Sequence, residues 1–196
     1  PREQHIAQEP SARTAPRIAA VILAAGRSTR MGAENKLLKI VDGEPLVART
    51  ARQVASSGVG RVFVVTGHEQ KQVERALEGF DVTFVHNPSY GDGLSASLKT
   101  GIGALPSDVE GALVALGDMP HVDARIIDKL VAAFDPTESR SICVPLYQGK
   151  RGNPVLWSAQ FFDAIQGLSG DIGAKHLLAE YADLVCEVEV NDNAVL

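Results

Sequence analysis

Apolar strand-like runs recur along this chain with helical patterns between them, and that rhythm constrains the fold more than any single motif. The runs are Ile18–Leu23, Arg61–Thr66, Val82–Val85, Ala112–Leu116, Ser141–Pro145 and Leu184–Val190. Their β-branched content and near-continuous apolarity suit strands covered on both faces of a sheet. Between them, Pro45 can occupy the first turn of a helix carrying Leu46, Val47, Val54 and Ala55, with Gly58 placed to stop it. Asp123 can cap a helix whose Ile126, Ile127, Leu130, Val131 and Phe134 recur at helical spacing. Leu94, Leu98, Ile102 and Leu105 line one face of another helix, and two shorter ones run through Phe161 to Leu168 and through Leu177 to Tyr181. The expected fold class is α/β, a three-layer αβα sandwich with a mostly parallel sheet. Ligands of such sheets bind beyond the carboxyl ends of the strands, so the residues just after strands carry the functional reading.

Composition sets the frame for that reading. The sequence has 196 residues, 45% hydrophobic and 22% charged, which is ordinary for one globular domain. Residues 1–16, with three prolines and no apolar period, read as a flexible tail ahead of a domain over 17–196. There is no apolar run of membrane-span length and no signal-peptide core, so the expected location is cytoplasmic. A net charge of −5 argues against non-specific nucleic-acid binding. Cys143 and Cys186 lie in strand-like runs and read as buried free thiols, since their spacing supports neither a metal pair nor a disulfide.

The stretch after the first strand holds the sharpest motif. Leu23-Ala24-Ala25-Gly26-Arg27 continues through Arg30, Gly32 and Lys36, so small residues that expose backbone N–H groups are followed by three spaced cations. That combination suits a triphosphate. Five residues separate Gly26 from Gly32, and Ala33 follows, so the P-loop spacing fails. The G-x-G-x-x-G dinucleotide fingerprint fails as well. The competing reading is an ordinary basic loop between strand and helix, with Arg30 as a brace.

Other candidate residues also follow strands. Gly117-Asp118-Met119-Pro120 places a carboxylate where it could hold Mg²⁺ against a triphosphate, or could simply close a turn before Pro120. Asn87, Gly93 and Ser95 belong to a glycine-containing segment leading into a helix, whose open N–H donors suit a base carbonyl or a phosphate. A glycine turn with serine capping is the rival there. Gly152-Asn153-Pro154 and Gly170-Asp171-Ile172-Gly173-Ala174-Lys175 could face a second, phosphorylated substrate, with Lys150, Arg151 and Lys175 supplying charge. His68, His121 and His176 show no metal spacing and read as surface or supporting residues. Trp157, Phe161 and Phe162 read as core.

With these motifs in hand, the chain resembles the molybdenum cofactor nucleotidyltransferase family from residue 18 to about residue 190. The resemblance rests on L-A-A-G-R-x-x-R-M-G-x-x-x-K at 23–36, the Asn87–Ser97 segment, G-D-M-P at 117–120, G-N-P-V-L at 152–156 and G-D-I-G-A-K at 170–175. It implies a Rossmann-like nucleotidyltransferase sheet and Mg²⁺-dependent transfer of CMP from CTP to the phosphate of molybdopterin, with release of pyrophosphate. Arg27, Lys36 and Asp118 are then the catalytic candidates, with Asp118 holding Mg²⁺. Leu23, Ala24, Ala25, Gly26, Gly32, Lys36, Asn87, Gly93 and Ser95 would face the nucleotide, and Asn153, Gly170, Asp171 and Lys175 the acceptor. Guanylyl-transferring members typically carry glycine where this chain has Ala25, so the resemblance favours CTP over GTP, on the view that an added methyl crowds out a purine. It further implies a molybdenum hydroxylase as client, no nucleic-acid or membrane partner, and an Asp-rich segment after the last strand that this sequence does not include. The rivals are transfer to another phosphorylated acceptor or from GTP, and a non-catalytic protein that delivers molybdenum cofactor.

Overall fold

A computed structural model describes residues 14–27, 34–170 and 174–196. The tail expected over 1–16 lies almost entirely outside the described residues, as do Arg30, Gly32 and Asp171. In chain order the strands are β1 (Ile18–Ala24), β2 (Ile40–Val41), β3 (Glu44–Pro45), β4 (Val62–Thr66), β5 (Thr83–His86), β6 (Gly111–Leu116), β7 (Ile142–Tyr147), β8 (Lys150–Arg151), β9 (Val155–Ser158) and β10 (Val185–Glu189). The α-helices are α1 (Leu46–Ala55), α2 (Gln70–Ala76), α3 (Leu94–Gly103), α4 (Ala124–Ala133), α5 (Phe162–Gln166) and α6 (Lys175–Glu180).

The main sheet runs β10-β7-β9-β6-β1-β4-β5, with β8 paired to β7. The β1–β4, β1–β6, β4–β5 and β7–β10 pairs are parallel, whereas β9 is inserted antiparallel between β6 and β7. Every residue of β1 is buried. Its even-numbered members Ala20, Ile22 and Ala24 pack into one cluster with Val47, Ala51 and Val54 of α1, Val73 of α2 and Ile127 and Leu130 of α4. Its odd-numbered members Val21 and Leu23 pack into another with Leu98 and Ile102 of α3, Phe161, Ile165 of α5 and Leu177 of α6. The period of two along β1 thus sends alternate side chains to opposite helical layers. The three-layer αβα sandwich is the observed architecture.

Local chemistry explains the helix starts. Asp123 accepts a hydrogen bond from Ile126 N at 3.0 Å, capping α4 as its position implied. Pro45 sits at the N-cap of α1. Four elements depart from the sequence expectation. Helix α2 buries only Val73 and so shows no apolar stripe. The β2–β3 hairpin turns at Asp42 and Gly43, both at positive φ, a short Asp-Gly signal. Strand β9 is a four-residue antiparallel strand set in a sheet otherwise read as parallel. Leu94, expected on one face with Leu98 and Ile102, is 42% exposed at the first position of α3.

Helix α3 lies unusually close to the sheet. A Cβ added to Gly101 would come within 2.4 Å of Val21 Cγ1 and 2.9 Å of Val65 Cγ2. Gly101→Ala should therefore destabilise the fold by about 1–3 kcal/mol through overpacking. The check is the denaturant midpoint, and an unchanged midpoint would show that α3 is not seated this tightly.

Candidate functional site

From β1 the chain adds β4 and then β5 on one side, and β6 next forms on the other side of β1. Strand order therefore reverses beside β1, and in open α/β sheets ligands bind in the crevice beyond the carboxyl ends of such a switch point, here those of β1 and β6. Two loops line it.

After β1, Ala25 is buried, while Gly26 and Arg27 are exposed. A Cβ on Gly26 would meet nothing within 4 Å, so this turn presents backbone to open space. The Arg27 guanidinium carbon lies 5.1 Å from the centre of the Tyr90 ring. Such a stack contributes about 0.5–1 kcal/mol at an exposed site and orients the cation. Tyr90 fits there because Gly67 lacks a side chain: a Cβ on Gly67 would sit 2.5 Å from Tyr90 Cβ and 2.8 Å from Ala25 Cβ. The backbone N–H of His68 donates to Ala25 O at 3.2 Å, and the His68 ring lies 6.0 Å from that of Tyr90. The loop after β4 thus supports the loop after β1, so His68 stands at the edge of the site.

After β6, Gly117 N donates to Leu23 O at 2.9 Å, one step beyond the β1–β6 ladder. The buried hydroxyl of Thr50 on α1 donates to Gly117 O at 3.0 Å. A Cβ on Gly117 would lie 3.0 Å from both Leu23 O and Leu37 Cδ2, so glycine is what lets Leu37 approach. Leu37 anchors the 3-10 turn Lys36–Leu38, which Asn35 caps by accepting from Leu37 N at 3.1 Å. The outcome is that Lys36 Nζ donates to Asp118 Oδ2 at 3.2 Å, two residues far apart in sequence. Their side chains are 42% and 38% exposed. At that exposure an ion pair contributes about 0.2–1 kcal/mol.

No group of three or more His, Cys, Asp or Glu that could hold a metal occurs among the described residues. Asp118 is a single half-exposed carboxylate at a strand end. That donor set fits a hard divalent ion whose remaining ligands are phosphate oxygens and water. It does not fit a closed, all-protein metal centre.

The segment between β5 and α3 forms one wall. Asn87 is buried with both ends of its amide engaged: Nδ2 donates to Ser97 Oγ at 3.0 Å, and Oδ1 accepts from Ser89 N at 2.9 Å. It shapes the loop from within. Gly93 has φ 100°, a left-handed backbone that favours glycine, and it is the N-cap of α3 with no side-chain cap. Serine capping is therefore not what Ser95 does. Ser95 is 1% exposed, and its hydroxyl has no hydrogen-bond partner among the described residues. Its backbone N–H donates to Gly170 O at 3.4 Å, which brings Gly170 to the start of α3.

Asn153 reaches the same end of the sheet by register. Val155 of β9 faces Val114 of β6, so Asn153, preceding β9, lies beside the carboxyl end of β6. Its backbone N–H donates to Val195 O at 2.8 Å. Lys175 is exposed at the first position of α6. Arg151, one of the charges placed near the acceptor, pairs with Glu187 at 2.7 Å. A cavity of about 350 Å³ lined by Arg17, Ile18, Gly60, Arg61 and Asp108 lies at the opposite, amino-terminal edge of β1 and β4. It shares no residue with the crevice.

The family model of the MobA-like NTP transferase domain matches residues 20–185. The chain belongs to that family. It is therefore a nucleotidyltransferase, and the Rossmann-like αβα sheet is the fold it shares with solved relatives. A molybdenum cofactor cytidylyltransferase of Escherichia coli (strain K12) is 30% identical over 139 residues, covering 70% of this chain and 68% of the relative. A probable molybdenum cofactor guanylyltransferase of Natronomonas pharaonis is 32% identical over 125 residues, covering 64% and 59%. The chain thus spans under two thirds of that second relative. A nucleotidyl transferase of Methanothermobacter thermautotrophicus superposes with a TM-score of 0.77 at 29% identity, covering 90% of this chain and 88% of that one. A Mycobacterium tuberculosis H37Rv protein solved in complex with manganese gives 0.72 at 25% identity, covering 89% and 88%. Among the described residues of this MobA-like domain, no helix is long and apolar enough to cross a membrane.

Thr50 escaped the sequence reading because nothing local distinguishes a helical threonine that bonds across to another loop. Thr50→Val should cost about 1–3 kcal/mol by leaving the Gly117 carbonyl without its buried donor. Turnover should fall along with stability, since the Asp118 turn loses its support. Unchanged turnover in a folded Thr50→Val protein would remove Thr50 from the site.

Proposed function

We propose that this MobA-like domain transfers CMP from CTP to the phosphate of molybdopterin and releases pyrophosphate. The observation that carries the reading is the 3.2 Å approach of Lys36 to Asp118 in the crevice between β1 and β6. One loop contributes a cation and the other a carboxylate, where a metal-bound triphosphate needs both. An oxygen of the acceptor phosphate attacks the α-phosphorus, the bond from α-phosphorus to its bridging oxygen breaks, and pyrophosphate leaves. Positioning and charge stabilisation account for most of such a transfer. The acceptor is already ionised, so no general base is needed.

The residue roles are part of the same proposal. Backbone N–H groups from Ala25 onward cradle the triphosphate, a run that includes Gly32 among the residues not described. Arg27, steadied on Tyr90, and Lys36, released from Asp118, neutralise charge on the transferring and leaving phosphates. Asp118 would hold Mg²⁺, which when bound supplies positive charge to the phosphate oxygens. The N–H groups at the start of α3 that Gly170 does not engage, and the Ser95 hydroxyl, which has no partner among the described residues, are assigned to the nucleotide. Asn153, Gly170, Asp171 and Lys175 are assigned to the acceptor.

The preference for CTP rests on Ala25. Its side chain is 2% exposed and meets the loop at Gly67, so it would act by setting that loop and Tyr90 against the base. The similarity to a probable guanylyltransferase makes GTP the natural competitor. Product analysis with Mg²⁺, molybdopterin and either CTP or GTP tests the reading. Cytidylylated molybdopterin with equimolar pyrophosphate is the expected result, and kcat/KM for CTP should fall on the order of a hundredfold in Lys36→Ala. Product from GTP alone would reverse the base assignment, and no product from molybdopterin with either nucleotide would overturn the acceptor.

A further inference from the structure

We propose that Cys143 and Cys186 form a reversible intramolecular disulfide, a redox-modification site in which Cys186 meets the oxidant and Cys143 resolves it. Strand register carries the proposal, independently of the transfer reaction. Cys143 on β7 and Cys186 on β10 are direct partners in a parallel pair. Partners in a parallel ladder point to the same face of the sheet, and here both thiols join the cluster on the face covered by α1, α2 and α4. Neighbouring strands lie roughly 4.8 Å apart, inside the Cα range of about 4.4–6.8 Å that a disulfide spans. Sequence spacing gave no hint of this pairing, because the two cysteines lie on strands joined by a long excursion through β8, β9, α5 and α6.

The two thiols are not equivalent. Cys143 is fully buried between neighbours on both sides, β9 and β10. Burial first, and then the charge and hydrogen bond of Cys186, push the Cys143 thiol up to about 12. It stays protonated at neutral pH and cannot attack an oxidant in solution. Cys186 is partly exposed on β10, the last strand of the sheet, which among the described residues pairs with β7 alone. The chain beyond β10 ends in the turn whose Val195 carbonyl holds Asn153. A crosslink would therefore fasten the strand leading to one wall of the crevice.

With hydrogen peroxide as oxidant the chemistry balances. The Cys186 thiol gives up its proton as its sulfur attacks one peroxide oxygen; the O–O bond breaks, the leaving hydroxide takes that proton, and a sulfenic acid and water result. The Cys143 sulfur then displaces the hydroxyl from Cys186, its own proton leaving with that hydroxyl as a second water. Two thiols lose two electrons and two protons, and one peroxide is reduced to two waters.

The test treats the full chain with one equivalent of hydrogen peroxide, followed by thiol blocking, intact mass and peptide mapping. The expected result is loss of two hydrogens, a crosslinked Cys143–Cys186 peptide, and full reversal by dithiothreitol. In Cys143→Ser, Cys186 should accumulate instead as a dimedone-reactive sulfenic acid. If that variant fails to fold, the wild-type map decides alone. Sulfinic or sulfonic acid at Cys186 without a crosslink, a disulfide-linked dimer, or two unmodified thiols would each overturn the proposal.

Discussion

The hydrogen bond from Gly117 N to Leu23 O, at 2.9 Å, joins the two loops on which the site depends. It extends the β1–β6 pairing just past the strand ends, where strand order reverses and side chains stop being committed to the core. Leu37 and Thr50 are both referred to that junction. Leu37 packs against the bare Cα of Gly117 and sets Lys36, while Thr50 fixes the Gly117 carbonyl from α1. The sheet supplies a rigid edge, and each loop is held to it by a contact that a larger residue at 117 would disturb.

Opposed charge at this junction is held loosely. Lys36 and Asp118 are close to each other but half exposed, so their attraction is a small fraction of what the charges of a metal-bound nucleotide provide. Arg27 is likewise steadied by a ring rather than buried against a carboxylate. A site built this way is preorganised in position, which suits a reaction whose main demand is to place and neutralise phosphates. The buried Ser95 hydroxyl, without a partner among the described residues, stands beside the start of α3.

Much of the fold was legible in the sequence because buried parallel strands must be apolar almost throughout. Val62–Thr66, Gly111–Leu116 and Ile18–Ala24 could hardly read otherwise. Helix α2 was hidden because it rests on the sheet through one buried residue; the turn at Gly152–Pro154 entering a strand was legible, but the antiparallel direction of β9 leaves no mark in composition. The site divides in the same way. Asp118 and Lys36 stood out from position after a strand and from motif, yet their approach depends on Leu37 and Gly117 meeting in space. The Thr50 brace, the seat for Tyr90 at Gly67 and the Cys143–Cys186 register all join residues distant in sequence. They follow from strand order, which hydrophobic period alone does not specify.

Asp118 is proposed as the protein's hold on a metal–nucleotide complex, and Mn²⁺ binding in the presence of CTP measures that hold. Paramagnetic resonance of Mn²⁺ with CTP bound to wild-type protein and to Asp118→Asn reads occupancy without requiring turnover. The account predicts a tight ternary complex in the wild type and a loss of Mn²⁺ affinity of at least about tenfold in the variant, with Lys36 and the fold intact. Equal Mn²⁺ affinity in the two proteins would contradict it and return Asp118 to the role of a turn-closing residue.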